Sequence, residues 1–305
     1  MPLSSFSQIS LLLICVSSLP ALAAPPATEV TVRIKLVNEY LIVVPVTING
    51  LGPYDFVLDT GSNNTMLDQK LADELTLPHG KATTIIGANG SRSLSAVYAE
   101  SLSIAGATVD GKELLLFAAT IPQGLPSKVR GVLGEDFLRH FDLLIDYPHQ
   151  LIQLASGLSS MAETLRGEHL PIRLSGTVRG HPSLGRLILS ARIQQLGENP
   201  LSLVLDSGAN TLTLFREDLG VGSNRQTFLE SSCFKSSNII TRETRTIRSL
   251  YLGKSEVDDL TVIALAGHPD SDTDGLIPTS LFHSIFISHQ GKFVILNPSL
   301  PKANH

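Results

Sequence analysis

The stretch FVLDTGSNNTML, Phe56 to Leu67, ends a β-rich hydrophobic run on an acid, a small hydroxyl residue and a glycine. A carboxylate at the end of a buried strand is costly unless a neighbour satisfies it or uses it. The same order returns as LSLVLDSGANTLTLF, Leu201 to Phe215. The two acids, Asp59 and Asp206, stand 147 positions apart, close to half the chain. A duplication of this kind sets two equivalent loops face to face across a pseudo-two-fold axis. The repeat therefore predicts that the two acids meet.

The flanks repeat as well. LIVVPVTINGLGPYDFVL, Leu41 to Leu58, and RLILSARIQQLGENPLSLVL, Arg186 to Leu205, each read as strand, Gly-containing turn, strand. Alternating apolar residues support half-buried strands, and the turn chemistry falls on Gly50 to Pro53 and Leu196 to Pro200. Downstream, GVLGEDFLRHFDLLIDYPHQLIQL, Gly131 to Leu154, parallels GLIPTSLFHSIFISHQGKFVIL, Gly275 to Leu296. Each has Gly and two aliphatics, a helical turn, a strand, a turn and a last strand. Pro278 stands where the first copy has Gly134. Short helices are expected within Thr65 to Leu77 and Asp136 to Phe141, and the join between copies near Ala155 to Gly167. The fold class is mainly β: two similar β-barrel-like lobes related by a pseudo-two-fold, with few short helices. The expected division is 1–23 as a signal peptide, 24–160 as the first lobe and 161–305 as the second.

A net charge of −5 argues against nucleic acid as a partner. Ile9 to Val16 forms an apolar core, and Ala21-Leu22-Ala23 has the small-x-small pattern of a cleavage site. Met1 to Ser10 carries no Lys or Arg, and the apolar run falls short of the roughly 20 residues of a spanning helix. The expectation is export to the periplasm or the extracellular space, with no stable membrane span after cleavage. Cys15 would leave with the signal. Cys233 alone would remain, so no intramolecular disulfide could form.

Two carboxylates in contact share a proton and titrate as a pair. One can activate water as a general base while the other donates a proton to a substrate carbonyl oxygen. This chemistry needs no metal and no cofactor. Thr60 and Ser207 are placed to hydrogen-bond across the boundary, and Gly61 and Gly208 leave the backbone free to turn and offer its N–H groups. Ser62 follows in the first copy and Ala209 in the second. A Ser62 hydroxyl on the neighbouring carboxylate would make Asp59 the more ionised acid and Asp206 the more protonated one.

DTGS at Asp59 and DSGA at Asp206, each after an aliphatic strand, resemble the aspartic peptidases. GVLGEDFL looks like the hydrophobic-hydrophobic-Gly element that passes under the active loop in that superfamily. GANG, formed by Gly87, Ala88, Asn89 and Gly90, is similar to the Gly-rich hairpin of bacterial retropepsin-like proteins. The lobes are short and lack disulfides, so a retropepsin-like unit duplicated within one chain fits best. The resemblance implies acid-dyad hydrolysis of peptide bonds by Asp59 and Asp206, with Thr60, Gly61, Ser62, Ser207 and Gly208 in support. It also implies a peptide or protein substrate held under a mobile flap, with one monomer as the active unit. A single flap, around Thr83 to Val97, is expected. The second lobe shows no clear Gly-rich hairpin, and Ser236 to Tyr251 would have to serve. Pro278 keeps open a non-catalytic peptide-binding protein on the same scaffold. A homodimer using one acid per chain is less economical.

Other candidates read as structural. Asp136 and Asp146 suit capping and loop bracing. The nine histidines show no metal spacing such as HExxH. PDSDTDG, with Asp270, Asp272 and Asp274, lacks the distal Glu of a calcium loop and reads as a solvated turn. Arg242, Arg245 and Arg248 read as solvated, Tyr98 as an ordinary strand aromatic, and neither Ser62 nor Ser207 sits in a GxSxG setting.

Overall fold

The computed structural model describes residues 29–87, 90–121, 125–126, 128–156, 161–175, 177–178, 181–182, 185–216, 219, 224–232, 235–265 and 272–299. The expected signal segment, Cys15, Ala88, Asn89, Cys233 and Asp270 lie outside them.

The first lobe grows from the hairpin Leu41–Ile48 and Leu51–Leu58, whose register pairs Val43 with Val57 and Val44 with Phe56. Residues two apart share a face, so Ile42, Val44 and Val46 enter the main core while Leu41, Val43 and Val57 line a second, smaller cluster. The turn lies at Asn49-Gly50, both at positive φ (52° and 75°). It thus comes ahead of most of the expected Gly50 to Pro53 stretch, because Asn and Gly tolerate that conformation and Leu51 already pairs with Ile48. Val129–Leu133 then runs parallel to Leu51–Leu58 and antiparallel to Met66–Asp68. That element carries the hydrophobic-Gly motif under the Asp59 loop.

The second lobe repeats the scheme. Leu187–Ile193 pairs with Leu201–Asp206, and Gly275–Pro278 runs parallel to the latter and antiparallel to Leu212–Leu214. Pro278 does not break this element: it keeps parallel register opposite Asp206. The two lobes differ here for a physical reason. A Cβ on Gly134 would lie 2.7 Å from the Asn64 backbone, and the Gly134 N–H donates to Thr65 Oγ1 at 3.1 Å. Leu212 opens the corresponding strand in the second lobe, and no such bond is required of Pro278.

Both lobes carry a long hairpin, the second without a Gly-rich break. In the first lobe His79–Gly87 pairs with Gly90–Val97. In the second, Asn224–Ser232 pairs with the first part of an 18-residue strand, Lys235–Leu252. The neighbours match: Leu116–Ala119 lies between Gly90–Val97 and Met66–Asp68, as Ser255–Ala264 lies between Lys235–Leu252 and Leu212–Leu214.

Strands from both lobes join below the acids. The order is Glu29–Arg33, Leu151–Ala155, Asp142–Asp146, Ser284–Ser288, Phe293–Leu296, Leu170–Leu174, and the lobes meet where Leu143 pairs with Ile287. The main apolar cluster is continuous from Val44, Leu58 and Leu143 to Leu205, Ile277 and Ile287, so burial ties the lobes together. Helices are few and short among the described residues: Gln69–Glu74, Glu135–Leu138 and Met161–Thr164, the last in the segment expected as a flexible join.

Candidate active site

Each acid is delivered by a strand that ends under the opposite lobe. Leu51–Leu58 stops one residue before Asp59, and Leu201–Asp206 ends on Asp206 itself. Asp206 is buried and Asp59 half-buried, and a hydrogen bond joins their carboxyls. The loops hold one another through four bonds. Thr60 N–H donates to Ser207 Oγ at 3.1 Å, and Ser207 N–H donates to Thr60 Oγ1 at 3.1 Å. Thr60 Oγ1 donates to the Leu205 carbonyl at 2.9 Å, and Ser207 Oγ to the Leu58 carbonyl at 2.8 Å. Thr60 and Ser207 are buried, so each bond is made away from water, where leaving it unmade is costly.

The glycines are fixed by contact with the opposite acid. A Cβ on Gly61 would stand 2.5 Å from Asp206 Cγ, and one on Gly208 would stand 2.9 Å from Asp59 Cγ. Their N–H groups face their own acids: Gly61 N–H donates to Asp59 Oδ1 at 2.9 Å and Gly208 N–H to Asp206 Oδ1 at 2.8 Å. The Ser62 hydroxyl does not face Asp59. It donates to the Asn64 carbonyl at 3.0 Å, which removes the basis for making Asp59 the more ionised acid.

Burial pushes Asp59 well above the usual carboxylate range and the Asp206 charge adds to it, against the N–H groups of Gly61 and Ser62. Asp206 is also raised by burial, but the N–H groups of Gly208 and Ala209, the Asp59 carboxyl and the Arg186 guanidinium hold it down. Two tyrosines flank the pair. Burial raises Tyr40, with Asp206 adding, and burial pushes Tyr147 up to about 12. Both are neutral near pH 7.

The remaining predicted residues fall as follows. Gly87 and Gly90 pair at the end of the first-lobe hairpin. Tyr98 lies at its base, more than half exposed, with its N–H on the Pro78 carbonyl. Asp136 is buried and braces: Thr65 Oγ1 donates to it at 2.7 Å, as do the N–H groups of Leu115 and Phe137. Asp146 accepts from the His149 N–H at 3.0 Å. PDSDTDG is not simply a solvated turn. Asp272 accepts from Ser175 Oγ at 2.7 Å and pairs with Arg186, and Asp274 accepts from the Ser202 N–H at 2.7 Å. No group of three potential metal ligands occurs among the described residues.

Sequence reasoning missed Arg186, Tyr40, Tyr147 and the buried pair of Glu135 and His289. The one available signal was register. Continuing the ladders past Val43–Val57 and Ile188–Val204 sets Leu41 opposite Asp59 and Arg186 opposite Asp206.

Two lobes of like topology, each giving one acid to a hydrogen-bonded pair, define a pseudo-symmetric β protein with paired acids. Residues 44–137 match the family model described as aspartyl protease. Among solved structures, an aspartic proteinase from Irpex lacteus aligns with a TM-score of 0.55 at 12% identity, covering 90% of this chain and 99% of that one. A retropepsin-like aspartic protease from Rickettsia conorii aligns with a TM-score of 0.32 at 19% identity, over 43% of this chain and 92% of that one. The basic 7S globulin from soybean aligns with a TM-score of 0.49 at 10% identity, over 90% and 96%. No curated protein matches the chain. The family match lies within the first lobe, and the likeness to the Irpex lacteus proteinase over 90% of the chain is one of fold.

Proposed function

We propose that the protein is an exported aspartic endopeptidase, with Asp59 and Asp206 as its catalytic dyad. The observation that carries this reading is the hydrogen-bonded meeting of two acids from equivalent loops, one buried and one half-buried. Nothing about packing calls for two carboxyls side by side, and perturbed acids concentrate at functional sites. The ionised acid takes a proton from water, whose oxygen attacks the peptide carbonyl carbon. The protonated acid gives its proton to the carbonyl oxygen. The resulting diol collapses as the amide nitrogen receives a proton, and the C–N bond breaks. Thr60, Ser207, Gly61 and Gly208 keep the carboxyls in place, and Ser62 closes its own turn on Asn64. The substrate is an extended peptide lying over the dyad, and the two hairpins are its covers.

Export rests on residues 1–23 read as a signal peptide, with the mature enzyme periplasmic or extracellular. The monomer suffices, because one chain supplies both acids.

Incubating the purified mature protein with denatured mixed proteins from pH 3 to pH 8, beside Asp59→Asn and Asp206→Asn, tests the reading. Cleavage by the parent that both variants lose supports it. Folded parent protein that cleaves nothing at any pH contradicts it.

A further inference from the structure

We propose that Arg186 is a positioning residue for the dyad: its guanidinium, tethered by Asp272, makes Asp206 the ionised acid and leaves the proton on Asp59. The inference rests on the dyad reading above and adds to it an internal source of asymmetry. It reverses the charge distribution that the Ser62 hydroxyl suggested.

Among the differences between the two lobes around the acids, one ladder position sets a charged residue against an apolar one. Val43 pairs with Val57 in one lobe and Ile188 with Val204 in the other. Continued two residues beyond these last pairs, the same register sets Leu41 across from Asp59 and Arg186 across from Asp206. Residues opposite one another on paired strands share a face. On that face Leu41 is buried in an apolar cluster with Val43, Val57, Met66 and Phe117. Such a wall offers no charge to an anion, and it favours the protonated form of Asp59. The opposite side of Leu187–Ile193 feeds Leu187, Leu189 and Ala191 into the main core, so Arg186 stands on the dyad face and away from it.

Arg186 is only partly neutralised. Its side chain is 14% exposed, and its one ion-pair partner among the described residues, Asp272, lies at 3.5 Å from Nη2. Asp272 is itself shared: Ser175 Oγ donates to it at 2.7 Å and Arg173 Nη1 lies 3.8 Å away. The Arg186 Nε is buried without a hydrogen-bond acceptor among the described residues. An arginine stays cationic even when buried, so this charge has field to spare. Asp206 and Arg186 interact favourably, and no cation among the described residues acts on Asp59 in the same way. The other groups facing the pair are Tyr40, at the entry to Leu41–Ile48, and Tyr147, after Asp142–Asp146. Both are neutral over the working range. Arg186 with Asp272, and Arg173 behind it, are the charges that distinguish the two sides.

The test is a carbon-13 NMR titration of the aspartate carboxyls in the full mature chain, in the parent and in Arg186→Gln, Arg186→Lys and Asp272→Asn. Removing the cation should move the dyad's apparent ionisations up by on the order of one pH unit, and lysine should restore most of the shift. Asp272→Asn should move them down, because it leaves the Arg186 charge uncompensated. Loosened packing would not give shifts of opposite sign. Unchanged ionisations in Arg186→Gln, or a lysine variant that titrates like the glutamine one, would overturn the proposal. The titration reads carboxyls and not turnover, so a parent that cleaves no peptide would count against the peptidase reading and leave this result standing.

Discussion

His289 Nε2 lies 3.1 Å from Glu135 Oε2, a contact between the lobes with side chains only 5% and 2% exposed. The other ring nitrogen, Nδ1, lies 2.6 Å from the Phe141 carbonyl. Both partners are acceptors, so the geometry suits an imidazolium that donates twice. A related contact occupies the other side of the boundary. Tyr147 Oη and Thr279 Oγ1 are 2.6 Å apart, with Tyr147 following Asp142–Asp146 as His289 follows Ser284–Ser288. The two latches share a place in the fold and differ in chemistry: one is charged, the other neutral.

The charged latch predicts a pH-dependent stability. Burial pushes His289 down, but Glu135, the Phe141 carbonyl and Asp142 together outweigh it, and the net shift is up from 6.5. A raised folded-state value means the contribution is complete below pH 6.5 and is lost as pH rises through the folded value. Calorimetry of the parent and His289→Gln from pH 5 to pH 9 should show a stability gap that narrows on the alkaline side. A gap that stays constant or widens would contradict it. At pH 7 His289→Leu, which strands the buried Glu135, should cost about 3–5 kcal/mol.

The dyad predicts the opposite kind of variant. Asp59 binds its proton more tightly folded than unfolded, so its contribution is complete below 3.8 and is lost as pH rises through the raised value. Asp59→Asn removes a carboxyl that resists burial in its charged form. Its Tm should exceed the parent's at pH 7, and the gain should vanish near pH 3.5. A Tm below the parent's at both pH values would argue that the pair is structural.

The close glycines predict a rank order. Gly61→Ala should lower kcat more than Gly208→Ala, because its Cβ would meet Asp206 Cγ at 2.5 Å against 2.9 Å for the reciprocal contact. A displacement of this size at the reacting groups costs about 100-fold. Steady-state kinetics on one peptide substrate checks both. Equal, near-parental rates would mean that the acids can move without penalty.

The loop-to-loop bonds predict a loss of stability. Thr60→Val removes the acceptor of the Ser207 N–H and the donor to Leu205, both buried. Urea denaturation should show a cost of about 1–3 kcal/mol for each stranded group. The double variant with Ser207→Ala should cost less than the two singles added, since the two side chains, with two bonds each, brace the same pair of loops. Full additivity would mean that the loops are held independently.

The features legible in the sequence were those written twice. Asp59 and Asp206, Thr60 and Ser207, and the two hydrophobic-Gly elements each stand at matching places in a repeat, so a symmetric partner could be inferred. The second-lobe hairpin was hidden because its strand runs on from Lys235 to Leu252 without a Gly-rich break to mark it. Asp272 looked solvated because its partners, Ser175 and Arg186, lie 97 and 86 residues away. The same distance problem concealed Glu135 with His289, 154 residues apart, where each alone is an ordinary charged residue. The asymmetry between Leu41 and Arg186 was readable only after the strand register was known.

The most direct measurement is kcat/KM on one peptide for Asp59→Asn, Asp206→Asn and the double variant, each shown to be folded. Two acids that act as one unit should each cost about 1,000-fold or more when removed singly, and removing both should cost little beyond either alone. Activity that survives either single substitution, or losses that multiply in the double, would contradict a shared catalytic dyad.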